Sequence, residues 1–175
     1  MCYNMNMKKT VMIVGALLMV GILIKPVNVG AAELSDKQKD SIVEHCDTIK
    51  ENLKSLQHRD SRARVYLGRY YEIILNKFIT PLNMRLVENN LVDNKLMDNQ
   101  NNFSKMRTNF IIDYVEYQKT LEDLVATDCK NEPTKFYERL ENVRLKRGVV
   151  SKDVSKLRKL AGEQMDLVDA LKGTL

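Results

Sequence analysis

The chain has 175 residues, 44% hydrophobic and 29% charged, with 3 Pro, 7 Gly and no Trp. That length holds one domain plus a targeting segment, and the composition is globular rather than disordered; scarce Pro and Gly beside abundant Leu, Lys, Glu and Asp favour long helices over a sheet. Lys8, Lys9 and Lys25 precede residue 33 with no acid among them, so the rest carries 25 basic and 23 acidic side chains, too even a balance for a dedicated nucleic-acid binder.

The first element is an export signal. Lys8-Lys9 forms a basic start, and Thr10 to Ile24 (TVMIVGALLMVGILI) is an uncharged apolar run that Lys25-Pro26 ends. Cleavage after Ala31 places Val29 and Ala31 at the recognition positions; cleavage after Ala32 places Gly30 and Ala32 there. A membrane span needs about 20 apolar residues and this run is shorter, so residues 1–32 read as a cleaved signal peptide, with an uncleaved anchor over 10–24 as the alternative. Residues 33–175 are then a single extracytoplasmic helical domain, secreted or held in the cell envelope. Met7-Lys8-Lys9 has the form of a natural bacterial start, which would make Met1 to Asn6 an upstream extension. Cys2 lies before the apolar run, not after it as in a lipoprotein.

The first predicted helix opens on a capping box, Ser35 with Gln38, and Asp36 suits the positive end of its dipole. Ile42, Cys46, Ile49, Leu53 and Leu56 repeat as a heptad seam, which resumes as Ala63, Leu67, Tyr70, Ile74 and Phe78. Between them Gln57 to Asp60 is polar, so the segment is either one very long helix or two helices sharing a kink near His58 to Asp60, the second capped by Asp60. Gly68 predicts a close helix approach. Pro81, lacking an amide hydrogen, predicts a bend or an end.

Asn89 to Asn94 is the most turn-like stretch of the middle of the chain. After the signal only Cys46 and Cys129 remain, and an even pair outside the cytoplasm reads as a disulfide. Their midpoint falls between Val87 and Glu88, just before that turn, as an antiparallel hairpin requires. Such a bond would stabilise the fold by roughly 4 kcal/mol.

The second helix is predicted over about Asn94 to Asp128, with Leu96, Phe103, Met106, Phe110, Tyr114 or Asp113, Tyr117, Leu121 and Leu124 as its seam. Asn131 and Pro133 predict a cap and a first turn. The third helix is predicted over about Pro133 to Lys172, ended by Gly173, with Phe136, Leu140, Val143, Val150, Val154, Leu157, Ala161, Val168 and Leu171 inward and Arg147 and Gln164 interrupting. The expected fold is all-α: an elongated antiparallel three-helix bundle of long amphipathic helices, or four where the first helix breaks.

His58-Arg59-Asp60-Ser61 invites a triad, but neighbours on one helix cannot align as nucleophile, base and orienter; a capping Asp60 and a solvated His58 are the plainer reading. His45 beside Cys46 is no metal site, since zinc needs about three or four ligands of recognisable spacing. No catalytic residue, cofactor or metal is expected. Asn102-Phe103-Ser104 matches a glycosylation acceptor, which matters only in a eukaryote. The most informative surface is Arg59, Arg62, Arg64 and Arg69 with Tyr66, Tyr70 and Tyr71. Arg62, Tyr66 and Arg69 share a helical face by spacing, and Arg forks with Tyr rings can hold phosphate or carboxylate. The plainer expectation places Tyr70 in the core and pairs the arginines with Asp60 or Glu72.

Three stretches, Arg64 to Glu72 (RVYLGRYYE), Ile79 to Asn90 (ITPLNMRLVENN) and Asp128 to Glu138 (DCKNEPTKFYE), together with the signal segment, resemble an uncharacterised family of small exported helical proteins of candidate-phyla-radiation bacteria. The resemblance spans most of the mature chain and implies a cell-envelope or surface location. It brings no activity and no functional residue.

The sequence thus points to an exported, non-enzymatic helical protein of the cell envelope or surface that acts through helix-face contacts with an envelope or extracellular protein or with a second copy of itself. The alternative is an anion-binding module for an acidic envelope polymer, a lipid headgroup or nucleic acid, using Arg62, Arg64, Arg69 and Tyr66.

Overall fold

A computed structural model describes residues 34–173. The predicted signal peptide or anchor, with its cleavage positions Ala31 and Ala32, lies outside the described residues. Those described are all-α, and none of their helices is long and apolar enough to cross a membrane. The helices are α1 (Asp36–Glu44), α2 (Cys46–Ile73), a π-helical segment (Ile74–Ile79), α3 (Thr80–Glu88), α4 (Asn94–Ala126) and α5 (Pro133–Lys172).

Helix α1, α2, the π segment and α3 follow one another as a first arm; α4 and α5 are the second and third. The arms run antiparallel in turn. Cys46 meets Cys129, Asp60 meets Tyr117 and Arg147, and Tyr71 meets Phe110 and Val154. Numbers that rise along the first arm fall along α4 and rise again along α5, as two short connections dictate.

The caps explain the boundaries. Gln38 Oε1 accepts from the Ser35 amide at 3.0 Å and from its hydroxyl at 2.8 Å, the expected start. The interruption of the first arm falls at His45, not at His58 to Asp60 as the polar run suggested. His45 leaves helical geometry (φ −101°, ψ 13°) and its Nδ1 donates to the Ser41 carbonyl at 3.0 Å, while α2 runs unbroken through Asp60. Pro81 does not end the helix either. Its ring crowds the carbonyl four residues back, and the wider π turn immediately upstream accommodates it: the Thr80 amide donates to Leu75, five residues back.

After α3, Asn90 adopts a left-handed φ of 60° and the Leu91 amide returns to the Leu86 carbonyl at 2.8 Å, a Schellman ending. Asp93 then caps α4, accepting from the amides of Lys95 and Leu96. In the second connection Asp128, rather than Asn131, is the organiser: its carboxylate accepts from the side chain and amide of Asn131 and from the amide of Lys130. These donors, the Asn131 side chain foremost, hold the Asp128 carboxyl below its ordinary range. Lys130 Nζ reaches Asp47 at 2.7 Å and ties this turn to the start of α2.

The core is in two clusters. One gathers Cys46, Leu53, Tyr117, Leu121, Leu124, Cys129 and Phe136; the other gathers Tyr71, Leu75, Ile79, Phe103, Phe110 and Leu157. The first follows the predicted heptad. The second departs from it on the first arm, where Tyr71, Leu75 and Ile79 face inward while Tyr70 is 47% and Phe78 65% exposed. Leu67, Tyr71, Leu75, Ile79 and Asn83 advance by four residues each time. Every such step overshoots an α-helical face by about 40°, and the wider π turn absorbs part of that drift. Gly68 marks no close approach: a Cβ there would meet nothing within 4 Å.

Candidate binding surfaces

Between the core clusters the three arms share a polar clasp. Asp60 on α2 accepts from the Tyr117 hydroxyl on α4 and from Arg147 Nε on α5, each at 2.8 Å. Burial works against the charge of Asp60, but the hydrogen bonds from Arg147 and Tyr117 outweigh it and hold the carboxyl below its ordinary range. Burial and the Asp60 carboxylate push the Tyr117 hydroxyl far up, so it serves as a donor throughout the physiological range. Asp60 is therefore an interhelical acceptor and not a cap, and Arg147 interrupts the α5 seam because it reaches this acid.

The clasp borders a groove of about 490 Å³ over an apolar floor that includes Leu67, Phe110 and Val150. Arg64 lies on its wall with its guanidinium 5.2 Å from the centre of the Tyr114 ring, a cation–π geometry. Arg144 also lines the groove and is paired with Glu141.

The structure divides the predicted arginine–tyrosine set. Arg64 turns into this groove. Arg62, Tyr66 and Arg69 stay together on the outward face of α2, continued by Ile73, since steps of four, three and four residues keep one side of a helix. Tyr66 is 70% exposed and stacks parallel to Tyr70, with ring centroids 6.3 Å apart. Tyr70 is thus outside the core, and Tyr71 beside it is fully buried. Arg59 reaches Asp60 at 3.8 Å, and Glu72 is paired with Arg107, not with Arg69. Among the described residues no carboxylate lies within ion-pair distance of Arg62 or Arg69.

Cys46 and Cys129 lie at disulfide distance, Cα to Cα 5.7 Å, where the antiparallel pairing places them. His45 remains at the α1–α2 break, and among the described residues no three His, Cys, Asp or Glu side chains gather as a metal site. Phe103 of the glycosylation tripeptide is fully buried while Asn102 is exposed.

Two groupings escaped the sequence reading. Asp153 on α5 is buried near Asp113 on α4; burial first, then this neighbouring acid, push its carboxyl up to about 6. A second groove lies between the π segment, α3 and the end of α5, with Gln164 in its wall. The interruptions at Arg147 and Gln164 were the available signal: a polar residue in an apolar seam needs a partner, and a single chain of letters does not show which.

Compared with protein-family models, curated proteins and solved structures, the chain matches none.

Proposed function

We propose that this is an exported, non-enzymatic helical protein of the cell envelope or surface, and that it binds an envelope or extracellular protein through the outward face of α2. The observation that carries the reading is Tyr66, 70% exposed and flanked on one face by Arg62 and Arg69. Tyr and Arg are the side chains that most often anchor protein interfaces, because a flat ring or fork gains contact at little entropic cost. Val65, 68% exposed, and Ile73, 40% exposed, extend the face with apolar area. Export is supported by the signal-like segment over residues 10–24 and by two cysteines at disulfide distance, chemistry suited to an oxidising compartment. The resemblance to small exported helical proteins agrees with that location.

Two experiments test the reading. The intact mass of protein recovered from its own host, alkylated with and without prior reduction, tests export. A mass beginning at Ala32 or Glu33, with Cys46 and Cys129 blocked only after reduction, is expected; full-length protein with free thiols in the cytosol would overturn it. A photo-crosslinker at position 66 tests the face. It should give a discrete adduct in the host that Arg62→Ala with Arg69→Ala removes, and adducts no different from those of a crosslinker at position 102 would count against it.

Anion binding is the second reading, favoured by Arg62 and Arg69 having no carboxylate within ion-pair distance among the described residues. Retention on a heparin column that falls with salt and disappears in the same double variant would support it, whereas salt-insensitive retention would not. Arg64, turned into the groove over Tyr114, is not needed for either reading.

A further inference from the structure

The second groove lies on different residues. It encloses about 600 Å³, within the range of about 300–1,000 Å³ typical of small-molecule sites. Four of the six residues of the π segment, Ile74, Lys77, Phe78 and Ile79, line it. π turns are rare and recur at functional sites, because the extra residue per turn re-aims neighbouring side chains. Phe78 and Met165, 65% and 68% exposed, stand in its walls as large apolar groups left to water.

Its polar groups give the groove a direction. Asp169 is the one acid in the lining, and Lys172 neutralises it at 2.9 Å. Lys77 and Arg85 remain, two turns apart on the first arm, with no carboxylate within ion-pair distance among the described residues. Gln164 is only 7% exposed, and neither its amide nitrogen nor its oxygen has a hydrogen-bond partner. A buried amide left unpaired has lost its water without gaining a partner, and an occupant made only of hydrocarbon would leave it so.

We propose that this groove binds a single-chain anionic amphiphile, a long-chain carboxylate. The chain lies against Ile74, Phe78 and Val168, Lys77 and Arg85 draw the headgroup, and a polar atom of the ligand or of its hydration satisfies Gln164. The exposed lining of the groove is far smaller than the about 1,200–2,000 Å² that stable protein interfaces bury, which favours such a ligand over a second copy of the chain.

The test titrates the full-length, oxidised protein with dodecanoate below its micellar concentration, using calorimetry. Dodecyltrimethylammonium, with the same chain and the opposite charge, is titrated in parallel. Saturable binding of one dodecanoate is expected, about tenfold tighter than the cation and weakened about tenfold by Lys77→Glu with Arg85→Glu, the scale of one charge-assisted pair. Both substitutions are on exposed positions, and an unchanged thermal melt establishes that the variant is folded. Equal binding of the two amphiphiles, unaffected by charge reversal, would reduce the groove to a sticky apolar face and overturn the proposal, as would no saturable binding. A ligand-free dimer in sedimentation that Phe78→Ser dissolves would also overturn it and assign the groove to self-association. None of these outcomes bears on the α2 face, whose tests use Arg62, Tyr66 and Arg69.

Discussion

At one end of the bundle Leu53, Leu121, Leu124 and Phe136 pack around the Cys46–Cys129 pair, and Lys130 and Asp47 tie the adjoining turn to α2. At the other end Tyr71, Leu75, Phe103, Phe110 and Leu157 pack with polar neighbours. The Asn83 side chain donates to the Leu96 carbonyl and to Gln100, and Asn99 donates to the Leu160 carbonyl. Among the described residues, every buried side-chain polar atom without a partner belongs to Asn83, Asn99, Arg107, Asp153 or Gln164, all on the far side of the clasp from the cysteines. The difference teaches how one bundle can divide its tasks. An apolar seam around a cysteine pair at disulfide distance fixes register, whereas buried groups short of partners lower local stability and leave room for a ligand.

The sharpest break of this contrast is at the cysteines. Their separation is 83 residues, so in the chain-entropy account removing the cross-link with Cys46→Ser and Cys129→Ser should cost about 4.5 kcal/mol, read from denaturant unfolding of the oxidised protein against the variant. An unchanged midpoint would mean the pair is not bonded. Next comes the seam of the far half. Phe110→Ala removes a ring 1% exposed and should cost about 4 kcal/mol, whereas Phe78→Ala, at the position the heptad assigns to the core, should change stability by less than about 0.5 kcal/mol. Equal effects would restore the regular seam and remove the π turn from the account.

A finer probe is pH. Asp153, pushed up to about 6 by burial and by Asp113, favours folding while protonated. Its contribution is complete below the ordinary value of 3.8 and is lost as pH rises through about 6. Asp153→Asn should therefore raise the melting temperature more at pH 8 than at pH 4. Asp60 has the opposite sign: its lowered carboxyl contributes above its ordinary value and loses that contribution in acid. The smallest expected effect is at Gly68, where an added Cβ meets nothing within 4 Å. Gly68→Ala should stabilise the protein by about 1 kcal/mol through helix propensity, and a loss would reveal a close approach after all.

Much of the fold was legible because the signals were local or periodic. The seam of α4 from Leu96 to Leu124 was readable, with Asn99 the addition; so were the turn before Asn94, the start at Ser35 and the meeting of Cys46 with Cys129. The candidate site was half legible. Spacing placed Arg62, Tyr66 and Arg69 on one face, but it could not tell that Arg64 turns into a groove against Tyr114. Nor could it tell that Tyr71 rather than Tyr70 enters the core, since adjacent tyrosines are alike in composition and differ only in which side of the arm they occupy.

By itself the sequence determined an all-α chain, the three arms, their antiparallel order and the pairing of the cysteines. Helix periodicity, caps and turn residues are short-range properties, and the cysteine spacing is symmetric about one turn. Only the tertiary structure decided the break at His45, the π turn before Pro81, the partners of Asp60, the burial of Asp153 near Asp113, and the groove around Gln164. Each depends on which side chains from other arms stand opposite, 57 residues away for Tyr117 and 87 for Arg147, and on how a helix adjusts its turn to meet them.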